Sequence, residues 1–158
     1  MGSKLLVSGA AVAAVLATAC GGTTQSTSSP SPNQGAAPAT IAVASNAKLG
    51  QILVDSAGMT VYLFVADTGS VSTCYTSCAQ IWPPVATSGA PQAGTGATPS
   101  LLGTSKRTDG KTQVTYAGHP LYYFVSDKKP GDTTGQGVNG FGALWWVLSP
   151  TGAAIATK

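Results

Sequence analysis

The chain has 158 residues, a formal net charge of +3, only 8% charged side chains and no glutamate. A nucleic-acid reader would show a basic stripe, and here only Lys106-Arg107 and Lys128-Lys129 stand together, so that class is excluded. The paired bases read as solvated turn residues.

Lys4 supplies a positive n-region, Leu5 to Leu16 form an apolar run of 12 residues, and Ala17-Thr18-Ala19-Cys20 closes it. A helix needs about 20 residues to span a bilayer, so residues 1–19 read as a signal peptide rather than a membrane span. Small residues ahead of a lone cysteine resemble the lipobox of bacterial lipoproteins. That resemblance implies that Cys20 becomes the mature N-terminus and carries a lipid. The protein would then be exported and anchored to the outer face of the cytoplasmic membrane. The alternative is an ordinary secretory leader cut after Ala19.

Residues 20–45 read as the lipidated cysteine followed by a flexible linker. The segment has no charge and almost no large apolar side chain, so it cannot bury a core. About 110 residues remain, enough for one compact domain over 46–158.

Within that domain one pattern occurs twice. Val54 to Asp67 (VDSAGMTVYLFVAD) matches Val114 to Asp127 (VTYAGHPLYYFVSD) at seven of fourteen positions without a gap. Chance would give roughly one match. Ala57-Gly58 and Ala117-Gly118 sit at tight-turn positions. Val61 to Val65 and Leu121 to Val125 are continuous β-branched and aromatic runs, which predicts strands buried on both faces. Ile81-Trp82 then aligns with Leu144-Trp145. Thr108 to Lys111 marks a hairpin turn, and Leu144 to Leu148 and Ala153 to Ala156 read as the last strands. The predicted fold is mainly β: a small antiparallel domain of two pseudo-symmetric repeats, with at most a short helix near 77–82. Repeat 1 spans 46–87, a loose connection 88–104, and repeat 2 with the C-terminal strands 105–158.

Each copy carries Tyr, four residues, then Asp: Tyr62 with Asp67, and Tyr122 with Asp127. Cys74-x3-Cys78, Ile81-Trp82-Pro83-Pro84, Gly118 to Phe124, Lys129-Pro130-Gly131-Asp132 and Trp145-Trp146-Val147 accompany them. With these motifs the chain resembles the bacterial lipoproteins with tandem secreted repeats and a Y-x4-D motif, the secreted repeat of unknown function. The resemblance covers about residues 46 to 150. It implies an architecture and a location, and it carries no established activity.

The motif residues themselves read as structural. Tyrosine and aspartate five apart on a strand face opposite sides. Asp67 and Asp127 should fall just past their strands and accept turn N–H groups, while Tyr62 and Tyr122 pack in the core with their hydroxyls bonded at its edge. General acid–base catalysis needs convergent partners, which the sequence does not supply.

Once Cys20 is set aside, Cys74 and Cys78 make a pair, and in an exported protein a pair reads as a disulfide worth about 2 kcal/mol. No cofactor is expected on this reading. The alternative is a copper-binding or thiol-redox protein. C-x3-C resembles the copper-binding segment of cytochrome oxidase assembly proteins, and Cys74, Cys78 and His119 form a soft set suited to Cu(I). Met59 stands in copy one where His119 stands in copy two and would add to that set. The thioredoxin-like βαβ context of those proteins is missing.

A calcium loop around Asp127, Asp132 and Gly131 to Gly140 lacks the Asp-x-Asp spacing. A third reading is a cell-wall glycan binder. Adjacent residues on a strand face opposite ways, so one of Trp145 and Trp146 should point outward to a glycan or protein partner. The leading expectation is a non-catalytic, β-rich binding or structural module of the bacterial cell envelope, held to the membrane by its lipid.

Overall fold

The computed structural model describes residues 37–157. The leader, Cys20 and the first part of the linker lie outside the described residues. The elements run β1 (Thr40–Asn46), β2 (Gly50–Asp55), β3 (Tyr62–Phe64), α1 (Ser77–Ile81), β4 (Gln92–Ala93), a 3-10 turn (Pro99–Leu101), β5 (Leu102–Lys106), β6 (Thr112–Tyr116), β7 (His119–Pro120), β8 (Asn139–Gly140) and β9 (Ala143–Val147). The fold is mainly β, with α1 where the short helix was expected.

Each repeat opens with an antiparallel hairpin. β1 pairs with β2 from Ile41↔Asp55 to Asn46↔Gly50, and β5 pairs with β6 from Leu102↔Tyr116 to Lys106↔Thr112. Asn46 shapes the first turn by accepting the Lys48 and Leu49 N–H groups at 2.9 and 3.0 Å.

The turn after each hairpin differs by one residue. In repeat 2, Ala117 and Gly118 both have positive φ (49° and 82°), the backbone of a two-residue hairpin turn. Repeat 1 uses a longer turn, tied by the Asp55 carboxylate to the Ala57 and Met59 N–H groups. The gapless alignment is therefore off by one in the preceding strand. Leu53, not Val54, stands where Val114 stands: Val61 N–H donates to Leu53 C=O, as Leu121 N–H does to Val114 C=O.

The two copies meet at Tyr62 and Tyr122, whose backbones exchange both hydrogen bonds, at 2.8 and 3.0 Å. β9 flanks β3, with Phe64 opposite Trp145. The stretch from Ile81 to Pro84 flanks the second copy in the same way. Tyr123 and Val125 N–H groups donate to the Pro83 and Ile81 carbonyls, as Val65 N–H does to Leu144.

Alternate side chains feed two cores. Val61, Leu63, Leu121 and Trp146 join Ile41, Leu53, Val114 and Tyr116 on one face. Tyr62, Phe64, Tyr122 and Trp145 join Ile52, Val54, Cys74 and Trp82 on the other. The continuous apolar runs predicted this double burial, which in the first copy stops at Phe64, since Val65 is 52% exposed.

Four expectations are corrected. The domain does not begin at residue 46: β1 starts at Thr40 and buries Ile41 completely. Its small residues, TIAVASN, have the composition of a linker but the pairing of a central strand. The connection 88–104 is not loose, because it carries β4, which runs parallel to β1, and enters β5 at Leu102. Neither Trp145 (0% exposed) nor Trp146 (7%) faces solvent, since β9 is covered on both sides. The tail from Ala153 to Ala156 makes a single bridge, Leu148↔Ala154, rather than a strand.

Candidate functional site

The short strand places Tyr62 and Tyr122 side by side at the pseudo-two-fold axis, and the turn after each strand places Asp67 and Asp127. The phenol of Tyr62 donates to Asp127 at 2.6 Å, and that of Tyr122 to Asp67 at 2.5 Å. Each tyrosine thus bonds the aspartate of the other repeat. The second oxygen of Asp67 accepts the N–H and hydroxyl of Thr73, and that of Asp127 accepts those of Thr134. The turn N–H bonds agree with the sequence reading. The crossing was not foreseen.

Burial first, and then the hydrogen bond to the opposite carboxylate, push both phenols far above the ordinary value of 10.0. A third phenol, Tyr123, donates to Asp55 at 3.0 Å and is raised by burial and by that carboxylate. At neutral pH the three rings hold their protons.

Beneath the pairs lies a column of four rings. Phe64 stacks on Trp145 at 4.0 Å, Trp145 on Trp82 at 4.0 Å and 2° between planes, and Trp82 on Phe124 at 4.2 Å. Read by residue type the column is palindromic, and read by repeat it alternates: the phenylalanine of each copy caps the tryptophan of the other. Tyr62 meets Trp82 edge-on and Tyr122 meets Trp145 likewise, with centroids 5.4 and 5.2 Å apart. Gly135 lies flat on this column. A Cβ there would stand 2.7 Å from Trp82 and 2.9 Å from Tyr62, so no other residue fits unless the rings move.

Beside Tyr122 the symmetry ends. Arg107 is buried, which corrects its assignment to a solvated turn. Its guanidinium donates at 2.7 Å to Ser72, Gln113 and the Cys74 carbonyl, pairs with Asp109 at 3.2 Å, and lies 4.3 Å over the Tyr75 ring. Ser72 also stands 2.7 Å from the Tyr122 hydroxyl, so the cation is joined to the Asp67 pair through two hydroxyls. Lys106, Lys128 and Lys129 are exposed, as expected.

Cys74 and Cys78 are bonded to each other, with Cα atoms 5.2 Å apart. Both are buried against the aromatic core. The structure does not gather the proposed copper ligands. The Tyr62↔Tyr122 pairing is antiparallel, so Met59 and His119, each three residues before its tyrosine, lie at opposite ends, about 20 Å apart by strand rise. His119 borders a cleft of about 230 Å3 with Leu63, Phe64, Val65 and Asp67. Among the described residues no group of three or more His, Cys, Asp or Glu is placed to hold a metal ion. Asp132 serves a turn, accepting the Lys128 and Lys129 N–H groups.

The arrangement defines a class: one β unit assembled from two tandem repeats whose cores are completed by each other. A family model described as a secreted repeat of unknown function matches residues 43–86 and 103–149, and the chain belongs to that family. The two matched segments follow the two structural copies. The family is described as secreted, in keeping with export. No curated protein and no solved structure matches the chain. Among the described residues no helix is long and apolar enough to cross a membrane.

Proposed function

We propose that the protein is an exported, lipid-anchored module of the bacterial cell envelope that acts by binding or by holding structure rather than by catalysis. The crossed tyrosine–aspartate pairs carry this reading. The motif that would otherwise attract a catalytic assignment directs its hydroxyls and carboxylates at each other, inside the protein. Protonated phenols bonded to opposite carboxylates make a rigid crosslink between repeats and a poor acid–base pair at neutral pH. The closed cystine supports an oxidising compartment. The leader pattern ending at Cys20 supports the anchor, with the membrane as partner through the lipid.

The test is metabolic labelling with a clickable palmitate analogue. The wild type should take the label and sediment with membranes, whereas Cys20→Ala should lose the label and appear in the medium. A labelled, membrane-bound Cys20→Ala protein overturns the anchor. A turnover in the purified protein that disappears in folded Asp67→Asn overturns the non-catalytic assignment.

A further inference from the structure

The two repeats treat one equivalent strand edge differently. β1 and β5 correspond, with Ile41, Val43 and Ser45 in the places of Leu102, Thr104 and Lys106. The outer edge of β1 is covered. β4 lies parallel to it, Gln92 and Gly94 donate to the Ala39 and Ile41 carbonyls at 2.8 and 2.7 Å, and Val43 N–H donates to the Thr95 carbonyl at 2.8 Å. β5 ends its own sheet, in the order β5-β6-β7. Its outward Leu102 C=O, Thr104 N–H and C=O and Lys106 N–H have no backbone partner among the described residues. Thr104 and Lys106 are exposed, and a cleft of about 360 Å3 lined by Ser88, Gly89, Ala90, Thr104, Lys106 and Thr112 runs beside them.

We propose that the outer edge of β5 is a strand-addition site for an extended, uncharged, glycine-rich segment of a partner protein, laid parallel to β5 as β4 is laid on β1. Lysine commonly guards open edges. Lys106 instead turns its ammonium across β6 to the Thr112 hydroxyl at 2.7 Å and leaves this edge clear. The occupied edge defines the ligand. A Cβ on Gly96 would come 2.9 Å from Val43, so glycine is required there, and Thr104 imposes the same limit on the incoming strand. A Cβ on Gly94 would meet Ala42 at 2.8 Å, Thr40 at 3.2 Å and the Ile41 carbonyl at 3.3 Å; Gly103 in the place of Ala42 relieves the first contact only, so this second position also favours glycine. Backbone hydrogen bonds supply the affinity and these two positions the selection. The proposal is independent of whether Cys20 is lipidated.

The experiment is amide hydrogen exchange on the processed chain, residues 20–158. The probes are a synthetic peptide of the Pro91–Thr98 sequence and the same peptide N-methylated at the Gly94 position. The plain peptide at saturation should slow the Thr104 amide, the counterpart of the Val43 N–H that β4's segment binds, by about tenfold. The methylated one cannot donate to Leu102 and should leave it unchanged. Unchanged exchange with the plain peptide at millimolar concentration overturns the proposal. So does a Thr104 amide already slow in the free chain, which would assign the edge to the chain's own residues ahead of β1.

Discussion

The loop that follows Asp67 and the loop that follows Asp127 each return a threonine, Thr73 and Thr134, to bond the aspartate, and both close over the aromatic column. Beyond that they share almost no chemistry. The first is tied by the Cys74–Cys78 bond and by Arg107 reaching Ser72 and the Cys74 carbonyl. The second has neither. Gly135 lies against Trp82 and Tyr62, and the Gln136 amide reaches the Ile155 and Thr157 carbonyls and the Val147 N–H. What the repeats keep in common is what touches the other repeat: the tyrosine, the aspartate, the phenylalanine and the tryptophan. What differs also crosses between repeats, but without a counterpart: Arg107 reaches Ser72 and Gly135 lies against Tyr62, and neither contact is mirrored.

Substitutions can break this comparison. The largest effect should come from the column. Trp82→Ala and Trp145→Ala should each cost about 4 kcal/mol, read from urea unfolding midpoints, and each should unfold both repeats in one transition. Two separate transitions would show that the repeats are independent.

Next comes alkaline pH. The folded-state pKa values of Tyr62, Tyr122 and Tyr123 lie above the unfolded value of 10.0. Their contribution is therefore complete below pH 10 and is lost as the pH climbs beyond it. The loss should be about 1.4 kcal/mol per pH unit for each phenol. Tyr75, whose pKa is lowered by its hydrogen bond with Thr108, should ionise first, whereas Tyr62, Tyr122 and Tyr123 should ionise only together with unfolding. Ionisation of more than two of the five phenols ahead of unfolding contradicts the buried pairs.

Third, Tyr122→Phe should cost about 2–3 kcal/mol, because it strips a donor from Asp67 and a neighbour from Ser72. Tyr62→Phe strips a donor from Asp127 and the 3.3 Å acceptor of the Gly135 N–H, a longer bond than that to Ser72, and should cost less. Equal losses would mean that the Arg107 network adds nothing to the crossed pair. The smallest effect should be that of Cys74→Ser with Cys78→Ser, about 2 kcal/mol from a short closed loop. Calorimetry of the double variant should show one cooperative transition at a lower Tm, because the crossed pairs remain.

The duplication was legible because its shared residues recur at fixed spacing. The crossing was not, since a tyrosine five residues from an aspartate has the same sequence whether the bond is made within a repeat or between repeats. Arg107 was hidden inside a strong turn signal, Lys106 to Lys111, and nothing local says that its side chain points back under the hairpin. β1 was hidden by small residues that pack as tightly as large ones when β4 approaches closely: Gly94 and Gly96 leave no room for a Cβ over Ala42 and Val43. The double burial of Val61 to Phe64 was legible from the unbroken apolar run. Leu144 to Leu148 is just as unbroken, and the same reasoning would have placed both Trp145 and Trp146 inside.

The palindromic column also sets an arithmetic on gene rearrangement. A lone copy of this repeat ends in a phenylalanine and a tryptophan, each with a bare ring face, and in a tyrosine and an aspartate that each lack a partner. Copies are therefore viable in twos. A deletion that removes one copy leaves the rings, the phenol and the carboxylate of the other without the groups that cover them.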